Sequence, residues 1–572
     1  MEKKNLELFA PLSPELTFTK EEEAYLKPFF TNLGSSVYAP VLLPPELIGA
    51  LCSRTSRAAD DLRAIFIKEY IAPFINPARD EKDTEETWRE KEEYGHALKE
   101  FVRFLEKYPV SKIFANPRAR SFYIKWLAEY GDDSIAQMAG SHLIFGGISQ
   151  VAIKHFEDQR IGLAPIEKST RYVNYSKKMR GSYLYYTDPT LKDMGLEDEY
   201  RKAMDGLFET YTNLLPRLQA HLEEKFPDEK KSVVEKKVFD TLRGLLPTST
   251  LSQVAFFGNG QAFEYMISRS GKHPLGEIRW AANRALEELY KVTPSFLRRL
   301  MEPEKQDAVK AYEEYLAGKG RRLTPTVEEI WRGAGSISRT PETKVRLLEY
   351  DKEGEEKVLT GILYGTPNNH RGWNETLRKI RKMSMEEKRA LLNKYLEGRT
   401  ARWQKVGRAF ENAYMRFETT LNIGAWRDIH RHRMLTQIRQ NFSCYHGYDT
   451  PEEIREVGLQ GEYKKAIERA EDVFQKIVTR DENIAQYAVT LAHRVRFMQW
   501  ENLRQIFWKA ELRTMPEGHP DYRHIEQEKF KLVEKIYPLI AERMIVNMGE
   551  YDFARRGQEE RVQKKVRKLE EI

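Results

Sequence analysis

The sequence predicts a helix-rich α+β protein in which two diverged copies of one structural unit follow each other along the chain. Three observations lead to this prediction. Apolar residues recur at spacings of three and four through most of the chain, which is typical of amphipathic helices. One segment has the two β-rich runs and the glycine-bearing turn of a hairpin. The C-terminal parts of the two halves also align with each other at a fixed offset.

The secondary structure is predicted segment by segment. Helical periodicity extends over residues 195–225, 279–299, 375–397, 401–422, 462–479 and 525–547. The hairpin is predicted from VRLLEY at 345–350 and KVLTGILY at 357–364, which flank DKEGEE. Residues 60–71, DDLRAIFIKEYI, are also helical in pattern, but no motif explains residues 1–120. For that region we expect missing sheet strands of the first copy and an extra layer.

The internal repeat is visible when the chain is shifted by 244 residues. Identities at one fixed offset should be sparser by chance, which favours a duplication over two unrelated helices of similar composition. Upstream the offset drifts, as insertions in diverged copies would cause. The aligned pairs are Gln261 with Gln505, Phe263 with Phe507, Arg269 with Arg513, Arg279 with Arg523, Lys291 with Lys535, Pro294 with Pro538 and Arg299 with Arg543.

Length and composition limit the class of protein. At 572 residues and 41% hydrophobic content, the chain is long enough for two to four domains. No run approaches the ~20 apolar residues of a membrane span, and the N-terminus lacks a signal-peptide core. Only Cys52 and Cys444 occur, so a disulfide framework is excluded and a reducing cytoplasmic location is expected. The net charge of +7 is dispersed without an aromatic–basic stripe, so nucleic-acid binding is not expected.

The repeat suggests domain boundaries. We expect the first copy over residues 1–300, a linker over 301–343 and the second copy over 344–572. Gly, Pro, Ser and Thr cluster between Gly318 and Lys344, which is typical of a connector. The segment that begins at Arg555 is charged on all faces, so we expect an exposed helix or a frayed end.

In the second half, Arg431, His432 and Arg433 follow a helix predicted over 410–430. Two planar, permanently charged guanidinium groups beside an imidazole suit phosphates and electron-rich aromatic rings. The alternative is a basic turn on a solvated face. No metal site is predicted, because neighbouring arginines repel a cation and the chain has no HExxH or paired CxxC motif.

In the first half, Glu167, Ser169 and Arg171 form a second candidate group. If this segment is extended, the three side chains point to one side, because side chains alternate along a strand. A carboxylate, a hydroxyl and a guanidinium on one edge can hold the phosphate and sugar of a nucleotide. The alternative is a turn with local serine hydrogen bonds.

Short polar motifs follow in both halves. In the second half, Asn502 and Arg513 lie three turns apart on roughly one helix face, with Arg504 and Glu511 between them. The alternative for any one of these residues is ordinary ion pairing on a helix surface. The first half has Arg269, His273, Glu277 and Arg279 in the corresponding region.

Together these motifs resemble the flavin-dependent thymidylate synthase family, whose signature is Arg-His-Arg, seven residues, Ser, one residue, Arg. The second half keeps the front of the signature at 431–433, but its back is Asn441-Phe442-Ser443. The first half keeps the back at Ser169 and Arg171, but its front is Gln159-Arg160-Ile161. The likeness covers roughly residues 120–300 and 340–550.

The resemblance implies two tandem domains of this family's type, each with a small antiparallel-containing sheet. It also implies FAD as cofactor, dUMP as substrate, and NADPH and methylenetetrahydrofolate as co-substrates. Glu411 stands at the family's glutamate position, and Gln137 is the nearest counterpart in the first half. By resemblance, Arg431, His432, Arg433, Glu411, Asn502, Arg504 and Arg513 would bind the flavin. Glu167, Ser169, Arg171 and Arg279 would bind the nucleotide, and Arg431, Arg171 and Arg523 would be catalytic.

Family members are homotetramers whose sites combine groups from different subunits, so the fused chain is expected to form a homodimer that imitates the tetramer. We hypothesise that the second half supplies the flavin groups and the first half the phosphate groups, with one flavin per chain. The split signature leaves two alternatives open. One is a flavoprotein that acts on another pyrimidine, free or in RNA, and the other is a non-catalytic nucleotide-binding protein.

Overall fold

The computed structural model describes residues 3–13, 16–79, 83–108, 116–123, 125, 133–334, 344–553 and 564–565. Within these residues the protein is helix-rich α+β and contains two four-stranded antiparallel sheets, so the predicted fold class is confirmed. The strand orders are β1-β2-β4-β3 and β5-β6-β8-β7, which is the same order twice. The strands are Val37–Tyr38 (β1), Gly140–Ser149 (β2), Leu163–Glu167 (β3), Leu251–Asn259 (β4), Lys344–Tyr350 (β5), Tyr414–Asn422 (β6), Thr436–Arg439 (β7) and Arg494–Asn502 (β8).

Helices make up most of the remainder. Those of eight or more residues are Pro45–Thr55 (α1), Glu85–Lys107 (α2), Gln150–Glu157 (α3), Glu197–Lys225 (α4), Lys231–Leu242 (α5), Gly260–Ser270 (α6), Gly276–Val292 (α7), Gln306–Ile330 (α8), Gly354–Tyr364 (α9), Trp373–Arg381 (α10), Met385–Tyr395 (α11), Ile423–His430 (α12), Gln460–Val478 (α13), Leu503–Arg513 (α14) and Pro520–Ile536 (α15). Shorter α-helices are Lys3–Leu6, Lys20–Leu26, Leu62–Ile65, Ala72–Ile75, Pro117–Tyr123, Asp133–Ala136, Thr190–Asp193, Arg298–Met301, Glu452–Glu456, Glu482–Ala485 and Pro538–Ala541. No helix among the described residues is both long and apolar enough to cross a membrane.

The chain divides into two compact units. The first takes in the described residues of 1–213, 246–336 and 465–488, and the second those of 214–245, 337–464 and 489–572. Each predicted copy, 1–300 and 344–572, contributes one complete sheet. The units therefore follow the copies except for two segments, 214–245 and 465–488, which belong to the unit of the other copy.

In the first unit, the N-terminal region supplies both a strand and a helical layer, as expected for residues 1–120. Strand β1 pairs with β2 through Val37 and Tyr38. Helices between residues 20 and 107 bury Leu51, Leu62 and Phe66 against Ile144 of β2 and Ala255 of β4. This apolar cluster covers one face of the sheet, and its burial stabilises the layer by roughly 25 cal/mol per Å² of apolar surface removed from water.

In the second unit, one face of the sheet packs against helices α9, α10, α11, α14 and α15. Met415 and Phe417 of β6 point into this core, whereas Arg416 between them and Glu418 after them are only partly buried. That alternation is the pattern of a strand that is apolar on one face. The core holds α14 firmly against the sheet, and the start of this helix lies at the candidate site described below.

The two copies repeat the same strand-to-helix junctions. Ser149 and Asn422 end β2 and β6, and each caps an eight-residue helix through its side-chain oxygen. Asn259 and Asn502 end β4 and β8, and each caps an eleven-residue helix in the same way. Residues at the same place in these junctions are called equivalent below. The repeat predicted from the sequence therefore has a structural basis.

The structure shifts part of the predicted alignment by one residue. Because Asn259 is equivalent to Asn502, Gln261 is equivalent to Arg504 and not to Gln505. The pairing of Arg279 with Arg523 is unchanged, since both are the fourth residue of seventeen-residue helices. One residue is therefore gained in the loop between α14 and α15 relative to the first copy.

Two secondary-structure predictions were wrong. Residues 357–364 are not the second strand of a hairpin but the body of helix α9, and β5 pairs with β6 instead. Residues 401–422 are not a helix, because a loop and a 3-10 turn over Arg408–Asn412 lead into strand β6. The helix predicted over 375–397 is two helices, α10 and α11, with Ser384 capping the second.

Much of the predicted connector is helical, because α8 continues through Pro325 to Ile330. Residues 335–343, which include Gly335, lie outside the described residues. The charged tail predicted from Arg555 also lies outside them, apart from residues 564 and 565.

Candidate functional site

A cavity of about 320 Å³ lies in the second unit, beside the start of helix α14. Its wall is built from the loop before β6, the turn that carries Glu411, Met434 in the segment before β7, and the first three turns of α14. Three residues predicted to bind a cofactor, Glu411, Asn502 and Arg504, all line it. The other polar and aromatic residues of the wall are Arg399, Arg402, Lys405, Gln505, Phe507, Trp508 and Glu511.

Glu411 and Arg504 form an ion pair on the cavity wall. The Arg504 Nη1 donates to Glu411 Oε1 at 2.5 Å, and Arg408 donates to the other carboxylate oxygen at 3.3 Å. Burial raises the pKa of Glu411, but the hydrogen bond from Arg504 and the charge of Arg408 outweigh it and hold that pKa below its usual value. Glu411 is therefore held in its anionic form, paired with Arg504.

The remaining charges of the wall are mostly positive. Arg399 is paired with the buried Glu511 at 2.5 Å. Arg402 and Lys405 both lie over the Trp508 ring. Burial lowers the pKa of Lys405, and the neighbouring positive charge of Arg402 lowers it further. Arg402, Lys405 and Arg504 lie close together in this wall, and such a group of cations suits an anionic ligand.

The start of helix α14 adds to this potential. Asn502 Oδ1 accepts a hydrogen bond from the Gln505 backbone N–H at 2.9 Å and so caps the helix. The first turn of a helix presents backbone N–H groups and a partial positive charge, which is why phosphates bind at such ends. Here that end lies in a wall that also contains Arg402, Lys405 and Arg504.

His432 connects the cavity wall to Arg513. It follows the last turn of α12, is buried, and has its Nδ1 3.1 Å from the side-chain nitrogen of Gln505. Arg513 Nε donates to His432 Nε2 at 2.9 Å. Burial lowers the pKa of His432 well below its usual value, and Arg513, Lys509 and Lys529 lower it further. The structure thus brings His432, Arg513 and Gln505 together. Arg431 and Arg433, on either side, are exposed.

In the first unit, Glu167 is buried in an ion-pair triad. Lys154 Nζ donates to Glu167 at 2.8 Å and to Glu157 at 2.6 Å, and all three side chains are almost completely buried. The extended arrangement predicted for this segment ends at Glu167. Ser169 begins a turn in which its Oγ accepts from the Arg171 backbone N–H at 3.3 Å, so the alternative interpretation, a local serine turn, describes the backbone.

Arg279 and Arg523 both use their guanidinium groups on backbone carbonyls. Arg279 Nη1 donates to the carbonyls of His273 and Pro274 at 2.6 and 2.7 Å. Arg523 donates to Thr514 O at 3.2 Å and to Gly549 O at 2.6 Å. Burial lowers the pKa of both arginines. Both therefore hold a loop next to the first turns of their helices, and neither forms an ion pair with a carboxylate among the residues that the structure describes.

The equivalent positions of the first copy carry neutral residues. Gln261, equivalent to Arg504, accepts a hydrogen bond from Gln137 at 3.0 Å, so a pair of amides stands where the second copy has Glu411 and Arg504. Gln159, counted from the end of α3, takes the place of His432. It donates to the carbonyl of Ala262, which is equivalent to Gln505, at 2.7 Å. Ser270 is equivalent to Arg513.

Sequence reasoning missed Arg399, Arg402, Lys405 and Trp508. Arg399, Arg402 and Lys405 belong to RTARWQK at residues 399–405, a basic stretch that mostly falls in the segment 401–422 predicted as a helix, whereas Trp508 belongs to α14. Three cations within seven residues are the signal that could have identified this loop. The start of α14, which forms the other part of the wall, lies about a hundred residues farther along the chain. Only folding brings the two parts of the cavity together.

Comparisons with known proteins agree with the repeat. The profile of a family described as "Thymidylate synthase complementing protein" matches residues 78–295 and 346–539. A UPF0159 protein of Chlamydia pneumoniae is 34% identical over 541 residues, which cover 92% of this chain and 94% of that protein. A flavin-dependent thymidylate synthase of Mycobacterium sp. (strain JLS) is 26% identical over 36% of this chain and 81% of its own length. A solved structure of the UMP/dUMP methylase PolB from Streptomyces cacaoi aligns with 35% of this chain at 14% identity and a TM-score of 0.28.

Proposed function

Because this chain belongs to the thymidylate synthase complementing protein family, we propose that it is a flavin-dependent enzyme that methylates a pyrimidine nucleotide. The proposed reaction is reductive methylation of dUMP to dTMP with methylenetetrahydrofolate as carbon donor and NADPH as reductant. The proposed cofactor is FAD, bound in the cavity of the second unit. The similarity to a protein named flavin-dependent thymidylate synthase supports the choice of cofactor and substrate.

The observation that carries the proposal is the chemistry of the cavity wall. Arg402, Lys405 and Arg504 surround the start of helix α14, and Trp508 offers an aromatic face. A flavin dinucleotide has a pyrophosphate, which suits guanidinium groups and helix starts, and flat rings, which suit an indole. A cavity of about 320 Å³ is within the usual size range of small-molecule sites and accommodates part of such a ligand.

The roles of the residues follow from their contacts. Arg504 would bind an anionic group of the cofactor, and Glu411 would keep its guanidinium in place. Asn502 would keep the first turn of α14 ordered so that its backbone N–H groups face the ligand. Bound FAD would supply the redox chemistry, while the protein supplies placement, charge and exclusion of water.

The first test is flavin binding. We expect the full-length protein to take up FAD and show flavin absorption after removal of free cofactor. Arg504→Gln introduces the residue found at the equivalent position of the first copy. It should weaken FAD binding about tenfold, since one charge-assisted hydrogen bond is lost.

The matched control is Arg371→Gln, which removes an exposed arginine paired with Glu375 on the surface of the same unit. It should leave FAD affinity unchanged. A wild-type protein that takes up no FAD, or an Arg504→Gln variant that binds as tightly as Arg371→Gln, would contradict the assignment of this cavity.

The second test addresses the substrate. Release of tritium from C5-labelled dUMP, dependent on FAD, NADPH and methylenetetrahydrofolate, would support thymidylate synthesis. If FAD binds but dUMP releases no label, the same assay on UMP and on uracil in RNA decides whether the enzyme acts on another pyrimidine. If none of these substrates reacts, the protein is a flavin-binding relative without this activity.

A further inference from the structure

The contact between His432 and Arg513 defines the protonation state of the imidazole. The Nε of a guanidinium carries a hydrogen and can only donate, so His432 Nε2 accepts from Arg513 at 2.9 Å. An imidazole has at least one N–H, and in His432 it must therefore be on Nδ1. The side-chain amide of Gln505 lies 3.1 Å from Nδ1, and its oxygen is the atom that can accept there.

The charges around His432 favour this neutral form. Arg513 and Lys509 face it from α14, Lys529 faces it from α15, and Asp428 is the carboxylate that faces it from α12. Three cations against one carboxylate oppose a second proton on a buried ring. Burial and these charges lower the pKa of His432, so they favour the neutral ring that the contact with Arg513 requires.

Arg513 gains a defined orientation from this contact. Its guanidinium lies over the Tyr522 ring at 5.5 Å, and its Nε is held by His432. Within the part of the chain that the structure describes, no residue accepts a hydrogen bond from its two terminal amino groups. A guanidinium fixed at Nε and on one face presents these amino groups as a fork for an oxyanion or a carbonyl oxygen.

We propose that His432 is a positioning residue, a permanently neutral imidazole that fixes Arg513 and the cavity residue Gln505 for the nucleotide-type ligand of this site. The proposal rests on the proposed function for the identity of that ligand, but not for the state of the ring. It assigns His432 no part in proton transfer. In the first copy, Gln159 and Ser270 occupy the two positions, and the pair is absent there.

The decisive variants are His432→Gln and His432→Ala. The Oε1 of glutamine can reach the place of Nε2 and accept from Arg513, whereas alanine leaves the guanidinium without this partner. We expect His432→Ala to weaken FAD binding or raise the KM for dUMP about tenfold, and His432→Gln to restore most of the loss. The pH profile of kcat/KM should be the same in wild type and His432→Gln. Loss of an acid limb in His432→Gln would identify His432 as an acid–base group and overturn the proposal.

A double-mutant cycle with Arg513→Ala separates positioning from an independent role. Because His432 also contacts Gln505, His432→Ala should weaken ligand binding less in the Arg513→Ala background than in wild type, and the remaining loss is the part that acts through Gln505. Additive losses would mean that His432 contributes by another route, and would overturn the proposal.

One measurement does not depend on the proposed function. In protein labelled with ¹⁵N only at histidine, the His432 signals, identified by their absence in His432→Gln, should report a neutral ring protonated at Nδ1 between about pH 5 and about pH 8. An imidazolium in that range would overturn the proposal even if FAD binds. If FAD and dUMP do not bind but the Nδ1–H form is seen, the proposed function fails while the assigned ring state stands.

Discussion

At the scale of single residues, the most unusual group in the first unit is Glu277. It is completely buried at the start of α7, where its carboxylate accepts the backbone N–H of Ser149 at 2.7 Å and the Ser149 hydroxyl at 2.6 Å. The Tyr487 hydroxyl donates to it at 2.8 Å. No cation pairs with it among the described residues. Burial raises its pKa to about 7, against the three hydrogen bonds, which lower it.

Glu277 should make the stability of the first unit depend on pH. In the unfolded chain the pKa of this carboxyl group is about 4.5. Below that pH the group is protonated in both the folded and the unfolded state, so it does not make stability depend on pH. Between there and pH 7 the unfolded chain loses the proton while the folded protein keeps it, so stability falls as pH rises, by up to about 3 kcal/mol. Denaturant unfolding of the full chain at about pH 5 and about pH 7.5 should show this fall.

The comparison for that measurement is Glu277→Gln, which removes the titration and should flatten the difference between the two pH values. Glu209→Gln, at an exposed position of α4, should behave like wild type. If wild type and Glu277→Gln show the same difference in stability between the two pH values, Glu277 does not keep its proton in the folded state and the prediction is wrong.

At the scale of elements, the helix caps Asn259 and Asn502 allow an effect on helix stability to be distinguished from an effect on ligand binding. Asn259 Oδ1 accepts from Ala262 N at 2.8 Å and Asn502 Oδ1 from Gln505 N at 2.9 Å, each at the start of an eleven-residue helix. Asn259→Ala and Asn502→Ala should each cost about 1 kcal/mol of stability, as N-cap losses do. Only Asn502→Ala should also weaken FAD binding. Thermal unfolding and FAD titration of both variants check this, and equal losses of FAD affinity would contradict it.

Elements also show where the sequence was informative. The long helices and the repeat could be predicted, because their apolar spacing is strong over many residues. Residues 357–364 contain β-favouring side chains, but Val358, Leu359 and Ile362 are buried together on one helix face, so tertiary packing overrides local preference. In β6, the alternation of Met415 and Phe417 with polar residues was present in the sequence and was misassigned to a helical period.

The candidate site was predictable only in part, for a physical reason. Glu411, Asn502 and Arg504 could be named because the resemblance places them by motif, and the structure brings all three to one cavity. The loop that carries Arg402 and Lys405 has no fixed spacing to those motifs. Its position depends on how the loop packs against α14, which no local pattern encodes.

At the scale of the whole molecule, the two copies share a strand order but differ in charge at equivalent positions. The second copy has Glu411 with Arg504, and the first has Gln137 with Gln261. The second copy has His432, and the first has Gln159, which contacts the equivalent helix position. At these equivalent positions, the cation that suits an anionic cofactor, Arg504, therefore belongs to the second copy.

We predict one FAD per chain. The reason is that Gln261 and Ser270 stand where the second copy has Arg504 and Arg513, so the first copy lacks two of the cations proposed to hold the cofactor. Protein and flavin quantified after gel filtration, together with the mass by light scattering, measure both this ratio and the expected homodimer. Two flavins per chain would contradict the prediction.

The repeated strand order has a consequence for inheritance. In a symmetric homo-oligomer, one codon encodes the residue at every equivalent position, so a mutation changes all the equivalent sites at once. In this chain Gln159 and His432 have separate codons, and a mutation in one leaves the other intact. Because the two copies are joined in one chain, the first copy can change without changing the site of the second copy. The N-terminal layer over the sheet of the first copy is one such difference.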